Sequence, residues 1–164
     1  MARIFIAIRF NDEFKKKLVK IQDSLNSRGV EGNYCSYDNL HMTLAFIGEH
    51  YDLPAIQKAV GEVEFEPFDL SLGNLGTFPT KAGVIWCGVK EGTSATSLAN
   101  KLRERLTANG VLFSTLGFVP HISLVQHPSE VITDITIPDA TIRVEQIHVM
   151  KSERINGELI YSEI

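Results

Sequence analysis

Two short segments of the sequence carry the same arrangement of a histidine and a hydroxyl residue. Residues 40–44 read LHMTL, and residues 120–124 read PHISL. In an extended strand, residues two positions apart point to the same face. Each segment therefore predicts a strand that buries an apolar face and presents an imidazole and a hydroxyl group on the other face.

The four polar side chains of these segments suit acid–base chemistry at one site. Because the ordinary pKa of histidine is about 6.5, one imidazole can act as a base near neutral pH while another acts as an acid. The hydroxyl groups can donate hydrogen bonds to oxygens that gain charge in a transition state. We therefore take His41 and His121 as candidate catalytic residues, and Thr43 and Ser123 as candidate substrate-binding residues. The alternative is that both histidines are ordinary strand residues that bond to the backbone or to water.

The elements that must position these residues follow from the hydrophobic pattern. In the first half of the chain it predicts a strand over 2–10, a helix capped at 11 or 12 and ended by Gly29, the His41 strand, and a short helix that begins at Asp52 and Pro54. A hairpin of strands 68–72 and 83–89 follows, and then a helix over 93–109 and the His121 strand. The final strands, 140–150 and 158–164, are joined by a turn near 156–157. A strand–helix–strand unit thus occurs twice, over 2–48 and 83–126. Each unit ends in a histidine-hydroxyl strand, which predicts an internal pseudo-repeat with the two histidines facing each other across a cleft.

The composition of the chain excludes several classes of protein. Its 164 residues are 44% hydrophobic, which suits a globular domain. The sequence has no apolar run of the roughly 18–20 residues that span a bilayer, and its first strand is not a signal peptide. The two cysteines, Cys35 and Cys87, are too few and too far apart for a disulfide scaffold, and they lack the paired spacing of a zinc site. This use of cysteine fits a reducing compartment, so we expect a cytoplasmic protein. A net charge of −4 and a pI of about 5.7 argue against extensive binding to duplex nucleic acid.

The two segments resemble the paired His-x-Thr/Ser motifs of the 2H phosphoesterase superfamily. The closer resemblance is to the bacterial and archaeal RNA 2′,3′-cyclic phosphodiesterases, historically called 2′-5′ RNA ligases. Similarity extends to the opening strand (5–8), the first motif block (39–49), the central hairpin (76–79 and 84–86) and the C-terminal strands (150–152, Gly157 and Tyr161). The resemblance implies an α+β fold over residues 1–164: a single domain of two pseudo-symmetric lobes of mainly antiparallel sheet, with outer helices and a central cleft.

The resemblance also implies a reaction. It is the metal-independent hydrolysis of 2′,3′-cyclic phosphates at RNA or nucleotide ends to 2′-phosphates. The resemblance also admits reversible 2′-5′ ligation of RNA. We assign His41 as the acid and His121 as the base, although the pseudo-symmetry is equally compatible with the opposite assignment. No metal or other cofactor is expected. The expected partners are RNA ends or nucleotide 2′,3′-cyclic phosphates, with no membrane, and the chain is expected to be a monomer.

Two positions depart from the family pattern. Members often carry a basic residue at the positions of Ala45 and Gln126. The loss of two cations leaves open a smaller substrate, such as a 2′-5′ oligonucleotide or another small cyclic phosphate. It also leaves open a noncatalytic protein that binds RNA ends. A third alternative is a metallohydrolase that adds carboxylates such as Asp38 or Glu49 to the two histidines, although the sequence lacks compact ligand spacing.

Other polar and aromatic side chains are given structural interpretations. His50 and His127 are expected in loops, and His148 in a C-terminal strand. Strict alternation places Phe46 on the core face of its strand, away from the site. Three aromatic residues could stack on a nucleobase, but packing is the favoured interpretation of each: Tyr37, Trp86 and Phe118.

Overall fold

The computed structural model describes residues 2–78 and 83–164, which form nine strands and three α-helices. The strands are β1 (Arg3–Arg9), β2 (Asn33–Tyr34), β3 (His41–Gly48), β4 (Phe68–Thr77), β5 (Val84–Val89), β6 (Ile122–Gln126), β7 (Thr141–Val144), β8 (His148–Ile155) and β9 (Glu158–Glu163). The helices are α1 (Asp12–Ser27), α2 (Leu53–Gly61) and α3 (Thr93–Ala108). The short β2 was not predicted. The loop predicted over 73–82 is wrong for residues 73–77, which extend β4, and residues 79–82 lie outside the described residues.

Two of the helices begin at the predicted capping side chains. Asn11 and Asp52 each accept a hydrogen bond from the backbone N–H three residues later, with O–N distances of 2.9 and 3.2 Å. Left-handed glycines follow the ends of α1 and α3, at Gly29 (φ 87°) and Gly110 (φ 71°). None of the three described helices has the length and hydropathy of a membrane span.

The strands form two antiparallel sheets. Sheet A has the order β3-β1-β8-β9, and sheet B has the order β2-β6-β5-β4-β7. Helix α1 connects the paired strands β1 and β3 of sheet A, and α3 connects the paired strands β5 and β6 of sheet B. Each helix also contacts the opposite sheet, since α1 packs near β6 and α3 packs near β3. The predicted α+β fold of two pseudo-symmetric lobes is confirmed.

One hydrophobic cluster joins the two sheets and the three helices. It includes side chains from each part of the fold, among them Leu18, Leu44, Ile56, Leu102 and Leu124. Burying a leucine or isoleucine of this kind contributes about 1.5–3 kcal/mol, so the shared core stabilises both lobes together. It supports the single domain over residues 1–164, which stays a prediction.

A bulge in β3 overturns the prediction for Phe46. Consecutive residues of β1 pair with Thr43 and Ala45, so that Leu44 has no partner opposite it. The extra residue reverses the alternation beyond it. As a result Leu44 and Ala45 are both buried, whereas the side chain of Phe46 is 42% exposed and lies away from the core.

The predicted strand 140–150 is in fact two strands in different sheets. β7 pairs with β4 in sheet B, and β8 pairs with β1 in sheet A. The predicted turn that follows β8 is confirmed. Asn156 and Gly157 both have left-handed backbone angles (φ 53° and 81°), as a tight hairpin between β8 and β9 requires.

Candidate active site

The four site residues predicted from the sequence line one cleft between the two sheets. His41 and Thr43 lie on β3 of sheet A, whereas His121 immediately precedes β6 of sheet B and Ser123 lies on it. The cleft has a volume of about 500 Å³, within the range of about 300–1,000 Å³ that is usual for small-molecule sites. The structure therefore brings the four side chains to one cleft, whereas their catalytic and binding roles stay predictions.

The two imidazoles are held in the same tautomer by equivalent backbone contacts. His41 Nδ1 lies 2.6 Å from the carbonyl oxygen of Asn39, and His121 Nδ1 lies 2.7 Å from that of Val119. Because a carbonyl oxygen only accepts hydrogen bonds, Nδ1 carries the hydrogen in both rings. In each ring Nε2 is left as the nitrogen whose proton can be gained or lost.

Each imidazole also packs against two aromatic rings. The centroid of the His41 ring lies 4.9 Å from that of Phe5 and 5.3 Å from that of Tyr161. The His121 ring lies 4.9 Å from Phe78 and 6.1 Å from Trp86. The aromatic rings restrict the rotation of both imidazoles, a role that the sequence pattern alone does not indicate for them.

The environment of His41 favours its neutral form. Burial lowers the pKa of His41, the hydrogen bond to Asn39 opposes that effect, and the charge of His121 lowers the pKa further. The Nε2 atom of His41 lies 2.7 Å from Thr43 Oγ1, so the hydroxyl group donates to the neutral ring. We had expected this hydroxyl to face a substrate, and in the free protein it bonds to His41.

A second cavity of about 580 Å³ extends the cleft along sheet A. The two cavities share six lining residues: His41, Thr43, Gln126, Arg154, Leu159 and Tyr161. Phe46 lines the extension because of the bulge, and so does Arg3, which pairs with Glu49 at 3.4 Å from Nε to Oε1. Ala45, by contrast, is buried in the core, so the family departure at this position does not leave an open space in the cleft.

The three aromatic residues considered for nucleobase stacking are packed elsewhere. Tyr37 donates its hydroxyl hydrogen to Asp12 Oδ1 at 2.6 Å, and this bond raises the pKa of Tyr37 to about 12. The Phe118 ring lies 5.8 Å from the Arg103 guanidinium carbon, and Trp86 supports His121. None of the three lines either cavity, which confirms the packing interpretation.

The remaining histidines lie outside the cleft, as predicted. His50 and His127 are exposed and lie outside helices and strands. His148 lies on β8 with its Nδ1 atom 2.7 Å from Glu163 Oε2, and this contact lowers the pKa of the Glu163 carboxyl group. The contact between His148 and Glu163 thus joins β8 to the C-terminal strand β9 within sheet A.

The residues considered for metal binding do not form a ligand cluster in the part of the chain that the structure describes. Those residues contain no group of three or more His, Cys, Asp or Glu side chains arranged to hold an ion. Burial raises the pKa of the Cys35 thiol to about 11 and that of Cys87 to about 12. Both cysteines are free.

Comparison with known proteins identifies the family. The profile of the 2′-5′ RNA ligase superfamily matches residues 33–156. The chain belongs to the 2′-5′ RNA ligase superfamily. An RNA 2′,3′-cyclic phosphodiesterase of Archaeoglobus fulgidus is 37% identical over 113 residues, which cover 66% of this chain and 63% of that protein. A Thermotoga maritima protein of the same name is 29% identical over 167 residues, covering 92% of this chain and 86% of that protein.

A solved structure gives the same result for the fold. The apo crystal structure of Escherichia coli LigT matches with a TM-score of 0.83 and 27% sequence identity, and the match covers 99% of this chain and 94% of LigT. The resemblance to the RNA 2′,3′-cyclic phosphodiesterases is therefore confirmed over almost the whole chain.

Proposed function

We propose that the protein hydrolyses 2′,3′-cyclic phosphates at the ends of RNA or nucleotides and leaves a 2′-phosphate. The observation that carries the proposal is the pair of histidines in one cleft, both fixed as the Nδ1–H tautomer. The relatives named RNA 2′,3′-cyclic phosphodiesterase support it. So do the crystal structures of E. coli LigT with phosphate and with 3′-AMP.

The proposed reaction needs one proton removed and one delivered. Water attacks phosphorus and loses a proton to the Nε2 atom of one histidine, while the bond from phosphorus to the ribose 3′ oxygen breaks. The Nε2–H group of the other histidine donates its proton to that leaving oxygen. The lowered pKa of His41 favours the neutral ring that a base requires. Of the two assignments that the sequence leaves open, it therefore supports His41 as base and His121 as acid.

The other residues of the cleft have proposed roles in binding. Ser123 lies two positions after His121, where its hydroxyl group can donate to a nonbridging phosphate oxygen. Thr43 can do the same once its bond to His41 is exchanged for one to the substrate. The exposed ring of Phe46 offers an apolar face for a nucleobase in the extension of the cleft.

The reverse reaction follows from the same residues. A 5′-hydroxyl that replaces water as the nucleophile loses its proton to the same base, the same acid protonates the 3′ oxygen, and a 2′-5′ linkage forms. The two histidines exchange roles when that linkage is cleaved back to the cyclic phosphate. Ligation is therefore proposed only as the reverse of phosphodiester cleavage at this site.

The test is turnover of 2′,3′-cyclic AMP in the presence of EDTA, with the product identified by phosphorus NMR. We expect conversion to the 2′-phosphate that is lost in His41→Ala and in His121→Ala. His50→Ala is the matched control, because that histidine is exposed and lies outside the cleft. A product bearing a 3′-phosphate would contradict the proposed regiochemistry.

Other outcomes would favour the alternatives. Activity that EDTA abolishes and zinc or manganese restores would favour a metallohydrolase. Cleavage of a 2′-5′ dinucleotide without cleavage of the cyclic phosphate would change the substrate. Binding of a 2′-phosphorylated RNA end without turnover, unaffected by His41→Ala, would indicate a noncatalytic binding protein.

A further inference from the structure

Arg154 lies where the two parts of the cleft meet. The preceding residues of β8 place it there, since the side chain of Met150 packs with those of Phe5 and Tyr161 on the cleft face of sheet A. Because alternate residues of a strand share a face, Ser152 and Arg154 lie on this face too. Arg154 lines both cavities, as His41 and Thr43 do.

Arg154 is the best-placed cation among the described residues of the cleft. It is the one lysine or arginine among them that lines the cavity containing both histidines. Arg3 lines only the extension, where it is paired with Glu49. By contrast, no carboxylate in the described residues lies within ion-pair distance of Arg154.

The guanidinium group of Arg154 retains most of its hydrogen-bonding capacity. Its Nη1 atom donates to the carbonyl oxygen of Gly157, in the turn of the same hairpin, at 3.1 Å. A guanidinium group has five N–H donors in a planar fork, which matches the oxygens of a phosphate. The bond to Gly157 orients the side chain and leaves the other donors for a ligand.

The charge of Arg154 also acts on the side chains around His41. Burial raises the pKa of Tyr161, and the charge of Arg154 opposes this increase. The Tyr161 ring in turn packs against the ring of His41. A charge that acts on this tyrosine can also act on an anion bound beside the histidine.

We propose that Arg154 binds the phosphate group of the substrate and supplies the positive charge that this chain lacks at Gln126. Both side chains line the region shared by the two cavities, so a cation can enter it from either the β8–β9 hairpin or the end of β6. The chain carries a net charge of −4, so an anionic substrate requires a local cation. The identity of the substrate rests on the proposed function, whereas the anion site does not.

The test is the affinity of the protein for adenosine 2′-monophosphate and for inorganic phosphate, each measured by calorimetric titration at two salt concentrations. We expect Arg154→Gln to weaken binding of the nucleotide by about 10–100-fold, as for a lost charge-assisted bond, and to reduce its dependence on salt. Arg143→Gln is the matched control, because Arg143 is an exposed strand arginine whose Nη1 atom bonds to Asp69 away from the cleft. It should bind as the wild type does.

A double variant separates charge from structure. Arg154→Gln with Gln126→Arg should recover most of the lost affinity, because the new guanidinium enters the same region. Equal binding by Arg154→Gln and the wild type would overturn the proposal. Failure of the double variant to recover would also overturn it, since the loss would then come from a changed hairpin.

The two probes distinguish this proposal from the proposed function. If the wild type does not turn over the cyclic nucleotide but binds inorganic phosphate in an Arg154-dependent manner, the anion site stands and the phosphodiesterase does not. If turnover occurs and phosphate binding is unaffected by Arg154→Gln, the phosphodiesterase stands and the role of Arg154 does not.

Discussion

The substitution Gly76→Ala tests whether Trp86 positions His121. Gly76 on β4 lies directly opposite Trp86 on β5. A Cβ atom at position 76 would lie 2.4 Å from Cη2 and 2.5 Å from Cζ2 of the indole. Since carbon atoms pack at roughly 3.5–4.0 Å, the ring would have to move by about 1 Å. An indole is rigid, so the movement would be transmitted to the neighbouring imidazole of His121.

The expected magnitude combines two opposing effects. Gly76 and Trp86 are half-buried, and overpacking destabilises by about 1–3 kcal/mol. Replacing glycine by alanine stabilises by about 0.4–1 kcal/mol because it restricts the unfolded chain. We expect Gly76→Ala to lower the free energy of unfolding by about 1–2 kcal/mol. Because a displacement of about 1 Å at a site can reduce turnover by up to roughly 100-fold, we expect kcat to fall about 10–100-fold.

The assays are urea denaturation and turnover of 2′,3′-cyclic AMP at saturating substrate. Gly61→Ala is the control, because a Cβ atom there would meet nothing within 4 Å, and it should be neutral or slightly stabilising. A Gly76→Ala variant with wild-type stability and activity would refute the packing argument. A destabilised variant with unchanged kcat would refute the link between Trp86 and His121.

Three further predictions concern the surroundings of the site. Gln22 is 7% exposed, and its Nε2 atom donates to the carbonyl oxygens of Cys35 and Leu124 at 2.9 and 3.0 Å. Gln22→Leu should therefore lower the free energy of unfolding, measured by urea denaturation, by about 1–3 kcal/mol. The control Gln57→Leu, at the exposed glutamine of α2, should not. Arg103 donates to the carbonyl oxygen of Leu116, in the segment 111–120, at 3.0 Å and to that of Leu44, on β3, at 3.3 Å. Because these bonds hold the segment against β3, Arg103→Lys should speed amide hydrogen exchange in 111–120, whereas the control Arg105→Lys should not. Because burial lowers the pKa of His41, its neutral form persists to lower pH. On the acidic side of the pH profile, kcat/KM should therefore fall only below pH 6.5, the ordinary pKa of histidine. A fall in kcat/KM that begins above pH 6.5 would contradict His41 as the base.

Much of the site could be predicted because it depends on local alternation. A period of two fixes which side chains share a face of a strand, and the same pattern occurred in both halves of the chain. That was sufficient to pair His41 with Thr43 and His121 with Ser123, and to place the two strands in a pseudo-repeat. The capping residue Asn11 was predictable for the same reason, since a cap acts within one turn of its helix.

The parts that escaped prediction depend on pairing between distant strands. Phe46 lies toward the cleft because β3 contains one residue more between His41 and Phe46 than the opposing stretch of β1, Phe5–Arg9. Nothing in its own segment indicates this bulge. Arg154 entered the cleft because the β8–β9 hairpin pairs with β1, far away in the sequence. The sequence of 140–150 does contain one indication that it forms two strands. Its apolar residues shift from even to odd positions between Val144 and Ile147, where β7 ends before β8 begins.

The central claim is that His41 and His121 act together in one step, and a single-turnover measurement tests it most directly. The rate of cyclic phosphate opening would be compared, with EDTA present, in the wild type, His41→Ala, His121→Ala and the double variant. We expect each single variant to lose about 10²–10⁴-fold in rate and the double variant to lose little more than the slower single one, because groups that act as a unit are not additive. A wild-type rate in either single variant would contradict the account.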